Sequence, residues 1–124
     1  VIGVEIVTQA VEDAKRNAAL NGITNARFFC GDAAAAARQL AQEGVQPDVI
    51  VIDPPRKGCE AQLIGTIVQM APERVIYVSC DPATLARDLK RFEEKGYVAR
   101  EVTPVDLFPR TSHVETVALL EQRA

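Results

Sequence analysis

Short apolar runs alternate with helical stretches along the chain, and this order limits the fold more than any single residue does. Residues 1–6, 26–30, 48–52 and 74–79 are short and apolar, rich in Val, Ile and Phe, and read as strands. Thr8 is placed to cap a helix whose Val11, Ala14 and Ala18 share one face, and Asn21-Gly22 supplies a left-handed stop. Asp32 is placed to cap a second helix through an alanine run to about Gln42, ended by Gly44. A third helix is expected from about Glu60 to Met70. A fourth starts at Asp81, with Pro82 at its first position and Leu85, Leu89 and Phe92 on its inner face. The tail differs, because residues 97–105 and 114–120 read as two strands joined without a helix. A polar loop, Asp106 to His113, separates them, so they are expected to pair antiparallel.

The order β-α-β-α-β-α-β-α-β-β predicts a doubly wound α/β sheet with helices on both faces. The unbroken β-branched run Val49-Ile50-Val51-Ile52 predicts a strand covered on both sides. A length of 124 residues fits one domain with a substantial core. The sequence opens on Val1 without a methionine, which reads as a chain cut from something longer or processed. There is no signal-peptide pattern and no apolar stretch long enough to span a membrane. Three scattered cysteines and one histidine argue against a disulfide framework or a metal cluster, and a reducing, cytoplasmic setting fits best. The net charge of −3 gives no global field to attract nucleic acid, so any RNA contact must be local or supplied by other segments.

In a doubly wound sheet, ligands sit at the carboxyl ends of the strands, so the polar residues there are the candidates. Glu5 ends the first strand and is placed either to accept hydrogen bonds from ribose hydroxyls or to sit solvated at a helix entrance. Asp32 is placed to bond an adenine amine or simply to cap its helix. Asp53-Pro54-Pro55-Arg56-Lys57-Gly58 closes the central strand with a turn stiffened by two prolines, which favours a site. Arg56 and Lys57 are positioned to meet a phosphate. Cys80 precedes a helix N-terminus, where the dipole favours a thiolate while the charge of Asp81 opposes it. Glu115 interrupts an apolar strand, which fits either a half-exposed edge or a general base.

The segments DPPRKG, YVSCDPATLARDL and PVDLFPRTSHVETVALL together resemble, in order and spacing, the RNA uracil-5-methyltransferase family. The resemblance runs over essentially the whole chain and corresponds to that family's catalytic domain without its beginning. It implies a partial S-adenosylmethionine-dependent methyltransferase domain with a Rossmann-like sheet. The first strand and the glycine-rich loop would lie upstream of Val1. It also implies methylation at C5 of a uridine in rRNA, ahead of tRNA, with RNA as the partner and S-adenosylmethionine as the cofactor. Under it Cys80 is the nucleophile and Glu115 the base. Glu5 binds the cofactor ribose, Asp32 approaches the adenine, and Asp53 lies beside the methionine end and the target base. Arg56 and Arg110 contact the RNA. Without the glycine-rich loop, the 124 residues alone are expected to be inactive and to bind cofactor weakly.

Three rivals carry less. An amino-methyltransferase has an aromatic residue after Asp-Pro-Pro, where Arg56 stands here. A nucleotide-binding oxidoreductase needs a Gly-x-Gly-x-x-Gly loop that this sequence lacks. A noncatalytic RNA-binding or structural module is opposed by the low basic charge and the lack of interleaved aromatic residues.

Overall fold

The computed structural model describes all 124 residues. The elements follow the expected order: β1 (Ile2–Glu5), α1 (Thr8–Leu20), β2 (Arg27–Cys30), α2 (Ala33–Gln42), β3 (Val49–Ile52), α3 (Ala61–Met70), β4 (Arg74–Ser79), α4 (Pro82–Glu94), β5 (Tyr97–Val105) and β6 (Glu115–Gln122). Hydrogen bonding divides the strands into a two-stranded sheet, β1-β2, and a four-stranded sheet, β3-β4-β6-β5. The chain correspondingly forms two compact units, Val1–Glu43 and Gly44–Ala124.

In the first unit β1 and β2 run parallel, with Ile2 opposite Arg27 and Glu5 opposite Cys30. Helix α1 buries Val11, and the turn after it uses Gly22 at a φ of 66°. Thr8 does not cap this helix. Val7 takes the N-cap position and Thr8 is the first helical residue; the Glu5 carboxylate accepts the Val7 amide at 3.0 Å, and Thr8 Oγ1 lies 3.6 Å from Cys30 Sγ. Asp32 caps α2 as expected, accepting the Ala35 amide at 2.9 Å.

In the second unit β3 and β4 are parallel, and β6 inserts antiparallel between β4 and β5. Strand alternation gives β4 and β6 a core face carrying Val75, Tyr77, Ser79, Thr116, Ala118 and Leu120, all buried. Helices α3 and α4 pack on that face through Ile64, Ile67, Leu85 and Phe92. The expectation of two-sided cover for β3 is not met. Ile50 and Ile52 pack against the core, but Val49 and Val51 are exposed, because β3 is the edge of its sheet and both helices lie on one side.

The inner face of α4 carries the expected Leu85, Leu89 and Phe92, and a carboxylate besides. Its fully buried positions are Leu85, Asp88 and Phe92, with Leu89 only partly buried. A carboxylate with no exposure needs partners, and Asp88 has four. It accepts from the Tyr77 hydroxyl at 2.7 Å, the Cys59 amide at 2.7 Å, Arg87 Nε at 3.1 Å and Arg91 Nη1 at 3.3 Å. Arg87 Nη2 also donates to the Lys57 carbonyl at 2.6 Å. Gly58 passes so close, at a φ of 76°, that a Cβ there would collide with the Asp88 carboxylate. These bonds tie the loop after β3 to α4 and β4.

Candidate active site

The three residues that end or begin strands in the second unit share one end and one face of its sheet. Asp53 is one residue past β3, Cys80 is one past β4, and Glu115 is the first residue of β6. Because β6 runs antiparallel to β4, its start lies beside the carboxyl end of β4. The last pair of that ladder is Ser79 with Thr116, so Cys80 and Glu115 occupy the next opposed positions. Opposed residues on antiparallel strands have Cα atoms about 4.5–5.5 Å apart. By alternation Asp53 continues the series Val49, Val51, Cys80 continues Ile76, Val78, and Glu115 continues Val117, Leu119. All three series lie on the face away from α3 and α4. Cys80 and Glu115 are half-buried and Asp53 is exposed.

Hydrogen bonds fix the turn that carries Cys80. The buried Ser79 Oγ donates to the Asp81 carbonyl at 2.8 Å and accepts the Asp81 amide at 3.0 Å, so the chain closes around Cys80. Asp81 caps α4 by accepting the Ala83 and Thr84 amides at 2.9 and 3.2 Å, with Pro82 at the first helical position as expected. Thr84 Oγ1 in turn donates to the Arg56 carbonyl at 2.8 Å, which ties the Asp53 turn to the helix behind Cys80.

The Arg56 side chain lies against His113, with Nη2 at 3.2 Å from Nδ1 and 3.4 Å from Nε2. This contact joins the turn after β3 to the loop before Glu115. Arg110, in that same loop, is exposed and has a left-handed backbone, φ 66°.

In the first unit Glu5 and Asp32 stand at the carboxyl ends of the paired strands β1 and β2. Both carboxylates serve helix starts, Glu5 for α1 and Asp32 for α2. A recess of about 200 Å³ opens beside Asp32, lined by Phe29, Gly31, Ala35, Ala36 and Gln39 among others. Asp32 is the one carboxylate in its lining, beside the apolar Phe29 and Leu40. The volume is below the roughly 300 Å³ at which whole-ligand pockets begin, so it suits part of a nucleoside-sized molecule.

Sequence reading missed Asp88, Tyr77 and the Arg56–His113 contact. The one available signal was Asp88 itself, a charge midway between Leu85 and Phe92 on the helix face that their spacing marks as apolar.

The sequence profile of the tRNA (Uracil-5-)-methyltransferase family matches residues 1–123. The chain belongs to this family. It is 59% identical over 122 residues to an uncharacterized RNA methyltransferase of Bacillus cereus, covering 98% of this chain. To one from Halalkalibacterium halodurans it is 57% identical over 121 residues, again covering 98%. In both cases it spans 26% of the relative's length. Among solved structures, the Pyrococcus abyssi tRNA (uracil-54, C5)-methyltransferase in complex with S-adenosyl-L-homocysteine is 32% identical with a TM-score of 0.78. That match covers 96% of this chain and 28% of the other. NSun6 from Pyrococcus horikoshii shares the fold at 15% identity, with a TM-score of 0.75 over 99% of this chain and 41% of its own. The methyltransferase-type α/β architecture is thus shared with solved members of the family and beyond it. No helix is long and apolar enough to cross a membrane.

Proposed function

We propose that this chain is part of the catalytic domain of an S-adenosylmethionine-dependent RNA (uracil-5-)-methyltransferase and carries its nucleophile and base. The observation that supports this most is the placement of Asp53, Cys80 and Glu115 at one end and on one face of a sheet, with Cys80 opposite Glu115. Family membership and the S-adenosyl-L-homocysteine complex of the Pyrococcus abyssi enzyme support the cofactor class.

The C5 carbon of uracil is too weak a nucleophile to take a methyl group unaided. The Cys80 thiolate adds to C6, the C4–C5 side becomes an enolate, and C5 turns nucleophilic. S-adenosylmethionine supplies the electrophilic methyl on a sulfonium. Once C5 carries both methyl and proton, the Glu115 carboxylate takes that proton, the C5–C6 double bond re-forms, and the Cys80 thiolate leaves. Asp53 sits where it can hold the base edge, and Arg56 and Arg110 offer charge to the RNA backbone. Glu5 and Asp32 fit ribose hydroxyls and an adenine amine, consistent with the recess beside Asp32. A target uridine must leave its stack to reach a thiol at a strand tip.

The 124 residues alone, a quarter of their relatives' length, are expected to bind the cofactor weakly and transfer no methyl. Titration calorimetry of the isolated chain against S-adenosylmethionine tests this, and tight binding would refute it.

The deciding experiment uses the full-length protein, S-adenosylmethionine, and rRNA and tRNA transcripts containing 5-fluorouridine. Fluorine cannot leave C5 as a proton, so a protein–RNA adduct should persist, map to Cys80 by mass, and vanish in Cys80→Ala. The transcript that forms it separates rRNA from tRNA. No adduct on either, with cofactor bound, would reject the reading.

A further inference from the structure

We propose that Phe108 is a stacking platform for a nucleobase flanking the reacting uridine; the proposal rests on the functional reading above. The chain has four Phe and two Tyr residues. Tyr77, Phe92 and Tyr97 are buried, Phe28 and Phe29 are half-buried, and Phe108 is the one exposed aromatic, at 49%. Its neighbour Leu107 is 61% exposed. Two adjacent large apolar side chains in water carry a hydration cost that an ordinary polar loop avoids.

The loop holding them is ordered by its own hydrogen bonds. The Phe108 carbonyl accepts from the Thr111 amide at 3.2 Å and from Thr111 Oγ1 at 2.7 Å. Thr111 Oγ1 accepts the His113 amide at 3.2 Å. These bonds order the backbone that carries the ring while the side chain stays exposed, which lowers the ordering cost of binding.

Its surroundings point to a nucleic acid. Phe108 meets His113 edge to face, with centroids 6.4 Å apart, and His113 Nδ1 lies 3.2 Å from Arg56 Nη2. Arg110 follows two residues later in a left-handed conformation that non-glycine residues adopt rarely, usually where surrounding structure or function demands it. An exposed aromatic side chain in a loop that also carries Arg110, and that reaches Arg56 through His113, combines a stacking surface with charge for phosphates, the pairing used for unstacked single-stranded bases. A uridine taken out of its stack leaves neighbours that have lost a stacking partner, and Phe108 stands by the loop that leads to Glu115.

The test uses the full-length protein and RNA hairpins with 2-aminopurine placed 5′ or 3′ of the uridine. Phe108→Ala should weaken RNA binding by about tenfold or more, as stacking losses of this kind do. It should also abolish the fluorescence quenching seen with wild type and leave S-adenosylmethionine affinity unchanged. Phe108→Tyr and Phe108→Trp should retain both binding and quenching. Wild-type affinity in Phe108→Ala, or full affinity in Phe108→Leu, would overturn the proposal. So would an unchanged RNA affinity with altered self-association, which would assign the loop tip to a protein surface. The 5-fluorouridine adduct keeps the two claims apart. An adduct with unaltered Phe108→Ala binding removes the platform and spares the uracil chemistry. Lost binding and quenching without any adduct does the reverse.

Discussion

Cys80 and Glu115 occupy opposed positions one step beyond the last hydrogen-bonded pair of the β4–β6 ladder, Ser79 with Thr116. They lie 35 residues apart in sequence, and only the antiparallel insertion of β6 beside β4 brings them together. A parallel β6 would have put Glu115 at the far end of the sheet. The reversal of the last strand is thus what joins a nucleophile to a base in the mechanism proposed.

If Glu115 is the base, Glu115→Gln in the full-length protein leaves thiol addition possible and blocks proton removal from C5. Turnover should fall by about 10²–10⁴. A covalent protein–RNA species should build up with ordinary uridine, visible as a mass shift and absent from Cys80→Ala. Slow turnover without any adduct would place the loss before methyl transfer and argue against this role.

Ser79 makes two hydrogen bonds to the Asp81 backbone, at 2.8 and 3.0 Å, that close the chain around Cys80. Ser79→Ala removes both and leaves an amide short of a partner, at a cost of about 1–3 kcal/mol. The consequence for activity should fall on kcat, because Cys80 loses its fixed position while the RNA and cofactor contacts remain. Steady-state kinetics alongside a thermal melt check this. A fall in stability with an unchanged kcat would leave Ser79 a purely structural role.

The strands and helices were legible because each carries its own signal: β-branched runs for β3 and β4, Asp32 and Asp81 as caps, Pro82 at a helix start. The failures share a cause, since they depended on what packs against a segment. Thr8 has the chemistry of a cap, but the Glu5 carboxylate meets the incoming Val7 amide. Val49 and Val51 have the composition of a buried strand but lie on the uncovered face of a sheet edge. Asp88 sits on the apolar face of its helix, but nothing local announces that Tyr77, Cys59, Arg87 and Arg91 converge on it. Cys80, Asp53 and Glu115 could be named as strand-end residues. Their common face required the register.

The Asp88 network should set the stability of the second unit. Asp88→Ala strands the Tyr77 hydroxyl and the Cys59 amide in the core and frees two arginines. Each buried polar group left without a partner costs about 1–3 kcal/mol. Gly58→Ala should act on the same point from the other side, since its Cβ would collide with the Asp88 carboxylate and its φ of 76° disfavours alanine. Urea unfolding should show both as lower midpoints, and the two losses should combine non-additively because they disturb one contact. Independent, additive losses would show that Gly58 and Asp88 are not coupled.

Alkaline pH should loosen the same region through Cys59. Its thiol is pushed up to about 11 from an ordinary 9.0, first by burial and then by the nearby Asp88 charge. The Tyr77 hydroxyl is also raised, chiefly by burial and then by its hydrogen bond to Asp88. A raised value means the folded protein holds its proton where the unfolded chain has released it. The unfolded state then binds fewer protons, and stability falls with rising pH. The Cys59 contribution is complete below about pH 9 and is lost as pH rises to about 11, a difference on the order of 2–3 kcal/mol. Urea unfolding at intervals from pH 8 to 11 should follow this decline, and Cys59→Ala should flatten it while lowering stability at pH 8 through the cavity it leaves. Below pH 9, alkylating reagents should modify the exposed Cys30 and half-exposed Cys80 well before Cys59. A decline just as steep in Cys59→Ala would remove this thiol as its source.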